Sequence, residues 1–229
     1  MNSYSDVRAV VFDMDGTVMD TDVDYVALAR VTEDEIVSIG VPADVIARDR
    51  AVQTTDNCMR WILENKPDAI RGIDKRIGDR ATAVEMQNYR SARPVPGMKE
   101  LMEELHSKGY RIGILTRGGR QYMEAVFGVT GTADLFDATV ARDDYHHEDA
   151  KPSPKSIEHI AGRLGVDPSS ILFVGDSEVD YLTAVNSKIP FIAVCTGNLD
   201  SKAWKDFVGD NAAVMDSVAD MAGLLPSLR

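Results

Sequence analysis

The chain has 229 residues, 44% of them hydrophobic and 27% charged, which suits one large domain or two small ones with a buried core and excludes a disordered or fibrous chain. Its net charge of −12 argues against a nucleic-acid partner, because polyanions are gripped by Lys and Arg, although a local cluster of cations suffices for a small anion. Two cysteines, Cys58 and Cys195, without CxxC spacing, argue against a disulfide framework or a structural zinc site and read as core-like thiols in a reducing compartment.

The N-terminal "MNSYSDVR" lacks a signal peptide's basic and apolar regions, and no stretch approaches the ~20 apolar residues that span a bilayer. The expectation is a cytoplasmic protein with no membrane partner. The first apolar run, "RAVVFDMDGTVMD" from Arg8 to Asp20, starts as a buried strand and ends in three aspartates. From there to "RPVPG" at Arg93 the pattern is helical: "DVDYVALARVTEDEIVSIG", "PADVIARDRA", "TDNCMRWILEN" and "DKRIGDRATAVEMQNYRSA", separated by Val41-Pro42, Lys66-Pro67 and Gly72. Beyond it, the strand-like runs "RIGILT", "ATVA", "SILFVGD" and "PFIAVC" alternate with helices. Met98, Leu101, Met102 and Leu105 mark one helix closed by Gly109. Another starts at Ser153-Pro154 and carries Ile157, Ile160, Ala161 and Leu164. A last strand and helix are expected in "AAVMDSVADMAGLL".

Apolar strands alternating with helices predict an α/β fold, a doubly wound parallel sheet with a Rossmann-like core. Residues 1–19 and 94–229 are expected to form that core, and residues 20–93 a smaller, all-helical inserted domain.

Ligands of open parallel sheets bind at the carboxyl ends of the strands. At those ends stand Asp13-Met14-Asp15-Gly16-Thr17, Thr116-Arg117-Gly118 and Asp176-Ser177-Glu178-Val179-Asp180, with Lys151-Pro152 before a helix. A pair of carboxylates ~5 Å apart repels by roughly 3 kcal/mol at an effective dielectric near 20, so three or four in one crevice require a cation. Oxygen ligands select a hard divalent ion, and magnesium suits a site that holds phosphate. Lys151 adds a fixed positive charge, and Pro152 disfavours helical backbone at Lys151.

In an extended segment Asp13 and Asp15 point to one side. One carboxylate can then attack phosphorus and the other move a proton. Magnesium, Lys151, the Thr116 hydroxyl and nearby backbone amides can neutralise the phosphoryl oxygens. Singly, each signal is also an ordinary turn, helix cap or surface lysine; it is their conjunction at successive strand ends that points to chemistry.

"DMDGT", "LT", "KP" and "GDSEVD" together resemble the four motifs of the haloacid dehalogenase-like hydrolases, and the whole chain resembles a phosphoglycolate phosphatase-type member. The insertion resembles the mobile cap of that family's first cap class. The resemblance implies that Asp13 is the nucleophile and a magnesium ligand. It makes Asp15 the general acid and base, binding magnesium through its backbone carbonyl. It further implies that Thr116 binds the phosphoryl group, that Lys151 orders Asp13 and offsets its charge, that Asp176 ligates magnesium, and that Asp180 lies in or near the metal's outer shell. The implied activity is magnesium-dependent hydrolysis of a small phosphorylated metabolite, phosphoglycolate-like or a sugar phosphate, through an aspartyl phosphate. A phosphomutase or phosphotransferase shares this chemistry, and a phospho-accepting signalling domain shares its residue types. The oligomeric state, monomer or homodimer, stays open. Arg117 departs from the asparagine that many members carry. Its amide suits phosphate, while its guanidinium suits either a substrate carboxylate or solvent.

Of the remaining signals, "DDYHHEDAKP" places His146, His147, Glu148 and Asp149 together, but adjacent residues rarely converge on one ion, and a solvated loop is expected. "TRGGR" lacks the GxxxxGK pattern and reads as a strand-to-helix turn. Arg48, Arg50, Arg60, Lys66, Arg71 and Arg80 are candidate substrate anchors or a solvated helix face, and Trp61 and Tyr25 read as core of the inserted domain.

Overall fold

A computed structural model of the chain describes residues 4, 6–46, 51–70 and 72–223. In chain order the elements are β1 (Ala9–Phe12), β2 (Met19–Asp20), α1 (Tyr25–Ile39), α2 (Ala51–Asn65), α3 (Pro67–Ile70), α4 (Ile73–Glu85), β3 (Arg93–Pro94), α5 (Met98–Ser107), β4 (Arg111–Leu115), α6 (Arg120–Thr130), β5 (Ala138–Val140), α7 (Lys155–Leu164), β6 (Ile171–Gly175), α8 (Glu178–Ser187), β7 (Phe191–Val194), α9 (Ser201–Val208) and β8 (Ala213–Met215). Two compact units result: Met1–Asp22 with Tyr89–Arg229, and Val23–Asn88. No helix among the described residues is long and apolar enough to cross a membrane.

The first unit holds a six-stranded sheet in the order β5-β4-β1-β6-β7-β8, with every pairing parallel. Strand β1 lies inside it, and all four of its residues, Ala9 to Phe12, have 0% exposure, which is why the run carries no polar alternation. Its neighbours β4 and β6 lead away from it in opposite directions across the sheet, so the order reverses beside β1 and leaves a crevice at the carboxyl ends. Helix α7 seats closely because Gly113 of β4 has no side chain: a Cβ there would stand 3.0 Å from Ile160 Cγ1 and 3.1 Å from Leu164 Cδ1. Trp204 of α9 is fully buried, with its indole N–H donating to Val194 O at 3.2 Å.

The second unit packs α1 to α4 around Ile36, Val41, Cys58, Ile62 and Ile73, with Trp61 and Ile77 against them. Asp24 caps α1 by accepting from Ala27 N, and Gly40 closes it at φ 83°, a left-handed geometry that favours glycine. Arg76 and Arg80 of α4 both bond to Glu35 of α1, so Arg80 joins two helices of its own unit.

Several sequence expectations change. The helix expected from Pro42 is a single turn in the described part, where Val45 N and Ile46 N both donate to Pro42 O. Pro67 does more than separate helices, since it opens the short α3, where a missing N–H costs nothing. The helix expected through Ala92 stops at Glu85, and the chain then turns into a ribbon that pairs Met19 with Pro94 and Asp20 with Arg93. The last helix is a six-residue 3-10 segment, Val218–Gly223, whose buried Val218 and Met221 are three apart, the repeat of that tighter helix. Helix α7 begins at Lys155, with Pro154 rather than Ser153 at the cap position. Tyr25 is not core: it opens α1 ahead of the buried Val31 and Ile36 and is 57% exposed. Cys58 is buried, and Cys195 packs half-buried against the sheet core. Arg48, Arg50 and Arg71 lie outside the described residues, and Arg60 is exposed.

Candidate active site

Three neighbouring strands deliver the acidic and hydroxyl groups. Asp13 N donates to Val174 O at 2.9 Å and Thr116 N to Val140 O at 3.0 Å, so each residue continues its parallel ladder one step past β1 and β4. Both are thereby held at the strand ends, Asp13 at 8% and Thr116 at 1% exposure. Asp176 follows β6 directly, and Lys151 enters from the segment between β5 and α7 through a cis Lys151-Pro152 peptide bond.

Lys151 is the hub. Its ammonium is buried and donates to Asp13 Oδ1 at 2.5 Å and to Asp180 Oδ1 at 2.7 Å. Asp180 is itself fixed in the first turn of α8, where its Oδ2 accepts from Ser177 Oγ at 2.5 Å and Ser177 N at 3.2 Å while Ser177 Oγ accepts from Asp180 N. This reciprocal cap explains the spacing of "DSEVD": the serine starts the helix and the aspartate three residues on returns to it. Gly175 makes room, since a Cβ there would lie 2.4 Å from Asp180 Cβ.

Asp176 is wedged from two sides. A Cβ at Gly16 would stand 2.5 Å, and one at Gly197 1.9 Å, from Asp176 Oδ2, while Thr17 Oγ1 donates to Oδ1 at 2.8 Å. Gly16 also has φ 77°, and the turn it makes returns Gly16 N to Met19 O. Two glycines therefore meet one carboxylate, and the loop after β7 joins by Thr196 Oγ1 donating to Gly16 O.

One oxygen each of Asp13, Asp176 and Asp180 lie within 4.8 Å of one another. Burial pushes the Asp13 carboxyl well above the usual carboxylate range; Lys151 pulls it back down, and Asp180, Asp176 and Asp15 push it further up. Asp176 is raised to about 6, by burial first and by Asp180 next, against the Thr17 hydrogen bond and Lys151. Burial opposes the charge on Lys151, but Asp13 and Asp180 outweigh it and hold the ammonium above its ordinary range. The cluster thus has more buried negative charge than its lysine offsets, a donor set of oxygens that fits a hard divalent cation. Asp13 and Asp176 suit direct ligation. Asp180, the third member of the cluster, already accepts hydrogen bonds on both oxygens, from Lys151 and from Ser177.

The segment from Asp13 to Asp15 is bent at Met14 and is not the extended run that the sequence predicts. The Met14 carbonyl accepts from the amides of Val18 and Met19, and Asp15 pairs with Met19 in an isolated bridge. Asp15 Oδ1 accepts from Thr21 Oγ1 at 2.8 Å and from Tyr122 OH at 2.6 Å, whereas Asp13 faces Lys151. Thr116 Oγ1 accepts from Gly118 N at 2.9 Å, shaping the turn into α6. Arg117 is half-buried, and its carbonyl accepts from Arg142 Nη1 at 3.1 Å.

Four neighbours of these groups escape a reading of motifs. Tyr122, Tyr145, Thr17 and Ser177 supply hydroxyls to Asp15, the Thr116 carbonyl, Asp176 and Asp180 respectively. Thr17 and Ser177 sit inside the quoted motifs, but their partners are remote in sequence or set by the cap. In the acidic loop, Asp149 pairs with Lys155 at 2.8 Å and His159 at 3.5 Å, and His146 and Glu148 are exposed. No metal-ligating group forms there among the described residues.

Residues 10–194 match the family model described as haloacid dehalogenase-like hydrolase. Among curated proteins, the chain is 28% identical over 183 residues to a phosphoglycolate phosphatase of Neisseria gonorrhoeae, covering 78% of this chain and 75% of that one. It is 28% identical over 230 residues to a plasmid phosphoglycolate phosphatase of Cupriavidus necator, covering 96% and 92%. A solved haloacid dehalogenase-like family hydrolase from Streptococcus pneumoniae shares the fold, with a TM-score of 0.61 at 16% identity over 96% of this chain and 99% of that one.

Proposed function

The chain belongs to the haloacid dehalogenase-like hydrolases, and from that premise we propose that it is a magnesium-dependent phosphatase that hydrolyses a small phosphate monoester through an aspartyl phosphate, an acyl phosphate on Asp13. The observation that carries the reading is the buried Lys151 ammonium joined to Asp13, with Asp176 beside them, at the carboxyl ends of adjacent parallel strands. The two phosphoglycolate phosphatase relatives support a small anionic ester as substrate.

Asp13, the backbone carbonyl of Asp15 and Asp176 would hold magnesium, which when bound would supply positive charge that keeps the two carboxylates ionised and offsets the phosphoryl oxygens. Lys151 aligns Asp13 by holding Oδ1 and adds a second positive charge at the nucleophile. Thr116 and the amides of its turn, with Arg117, bind the phosphoryl oxygens. An oxygen of Asp13 attacks phosphorus, the bond from phosphorus to the ester oxygen breaks, and Asp15 gives its proton to the departing alkoxide. Asp15, now ionised, takes a proton from water as that water attacks the aspartyl phosphate. The bond from phosphorus to Asp13 breaks, releasing inorganic phosphate and regenerating both carboxyl groups. Asp180 holds Lys151 in place throughout.

A panel of small phosphate esters, assayed with magnesium and with chelator, tests the reading, with Asp13→Asn as the blank. Magnesium-dependent phosphate release by the wild type and none by the variant is the expected result. Comparable turnover by the variant sinks the assignment of Asp13, and transfer of phosphate to a sugar hydroxyl in place of water redirects the reading to a transferase or mutase.

A further inference from the structure

Tyr122 touches both loops that the reaction needs. It lies in the first turn of α6 at 1% exposure. Its ring rests on the turn after β4, where a Cβ on Gly118 would stand 3.1 Å from Cδ1 and 3.4 Å from Cε1. Its hydroxyl donates to Asp15 Oδ1 at 2.6 Å, a length typical of an O–H bonded to a carboxylate, across 107 residues of sequence. Thr21 Oγ1 donates to the same oxygen at 2.8 Å. The ring is therefore seated on the phosphate-binding turn that carries Thr116, while its hydroxyl holds the proton-transfer group on the turn after β1.

We propose that Tyr122 is the positioning residue for the proton transfer: with Thr21 it fixes the Asp15 carboxyl in one rotamer relative to the phosphate-binding turn. The inference rests on the reading of Asp15 as acid and base. A buried tyrosine hydroxyl needs a partner in any case, and a carbonyl would serve; choosing the catalytic carboxyl instead ties the alignment of Asp15 to the seat of the ring on Gly118. A general acid displaced by ~1 Å loses on the order of 100-fold in rate, so the hydroxyl has a measurable kinetic role.

Tyr122→Phe keeps the ring and its packing and removes only the hydroxyl. The measured quantity is kcat/KM with magnesium, which reports the steps through the first departure of the leaving group. It is taken for p-nitrophenyl phosphate, whose leaving group departs without a proton, and for the best alkyl phosphate of a panel that includes 2-phosphoglycolate, whose alkoxide requires one. The expected result is a loss of about tenfold or more with the alkyl ester and less than about threefold with the aryl ester. Equal losses on both, or no loss on either, overturn the inference.

Asp15→Asn is measured in parallel. Strong discrimination by this variant without any by Tyr122→Phe sinks the role of Tyr122 alone. No discrimination by Asp15→Asn sinks the acid assignment and the inference with it. A wild type that hydrolyses neither ester overturns the phosphatase reading itself.

Discussion

Lys151 Nζ and Asp13 Oδ1 stand 2.5 Å apart although 138 residues separate them, and both are buried. The contact requires β1, β5 and the entrance of α7 to be in place together, so it marks the assembled sheet. Replacing Lys151 by Met leaves Asp13 and Asp180 as buried carboxyls without their shared cation. The expected cost is about 3 kcal/mol or more of stability at pH 7, by urea unfolding in chelator. Turnover is expected to fall by at least ~1,000-fold, since both the alignment of Asp13, the proposed nucleophile, and the positive charge beside it are lost. A variant with wild-type stability and rate would mean that the ion pair contributes to neither.

The carboxyl of Asp176, raised to about 6, gives a stability profile whose sign is opposite to that of most aspartates. Its ordinary value is 3.8, so the folded state binds its proton more tightly than the unfolded chain does. Stability from that proton is fully present below about pH 4 and is lost as pH rises through about 6. In chelator the Tm is therefore expected to fall between pH 5 and pH 7, by the equivalent of roughly 1–2 kcal/mol after allowing for partial exposure. Asp137 and Asp144, held low by hydrogen bonds and cationic partners that outweigh their burial, act the other way only in more acidic solution. Magnesium competes with the proton, so its stabilising Tm shift is expected to be larger at pH 7 than at pH 5. Thermal scans at both pH values, with magnesium and with chelator, check the sign.

What could be read from the chain alone follows from how local each signal is. The strands are legible because β1 and β6 are uniformly apolar, and full burial demands that. Asp13, Thr116 and Asp176 are legible as strand-end residues, and the structure brings them to adjacent strands. The ribbon of β2 and β3 is not, because two-residue strands carry no period and their pairing joins positions more than seventy residues apart. Tyr122 and Tyr145 look like helix and loop aromatics until the fold delivers their hydroxyls to Asp15 and the Thr116 carbonyl. Asp180 was visible as an acidic neighbour of Asp176, but its role as the second anchor of Lys151 depends on the cap with Ser177, a geometric fact of the first turn of α8.

That double duty of Asp180 can be separated by two variants. Ser177→Ala removes the helix cap and is expected to cost about 1 kcal/mol. Lys151 and the Ser177 amide still hold Asp180, so kcat should stay within about threefold of wild type. Asp180→Asn keeps the size of the side chain but removes the charge that fixes Lys151, and kcat is expected to drop by about tenfold or more. Paired urea titrations and steady-state rates measure both. If Ser177→Ala proves as damaging to kcat as Asp180→Asn, the cap and the lysine anchor act as one unit.

Gly197 offers the sharpest test of the metal assignment, because its missing side chain leaves the space that Asp176 fills. A Cβ there would lie 1.9 Å from Asp176 Oδ2 and 2.7 Å from Cγ, far inside van der Waals contact, so the carboxylate must swing away. Gly197→Ala is expected to raise the magnesium concentration for half-maximal activity by about tenfold or more, as for changes that misorient a ligand from behind. Gly16→Ala should do the same, with added backbone strain at φ 77°. Gly165→Ala supplies the control: it closes α7 at φ 69°, and nothing lies within 4 Å of its Cβ position. It should lower Tm while leaving the magnesium response unchanged, because it carries the strain without the collision. A normal magnesium response in Gly197→Ala would remove Asp176 from the set of ligands.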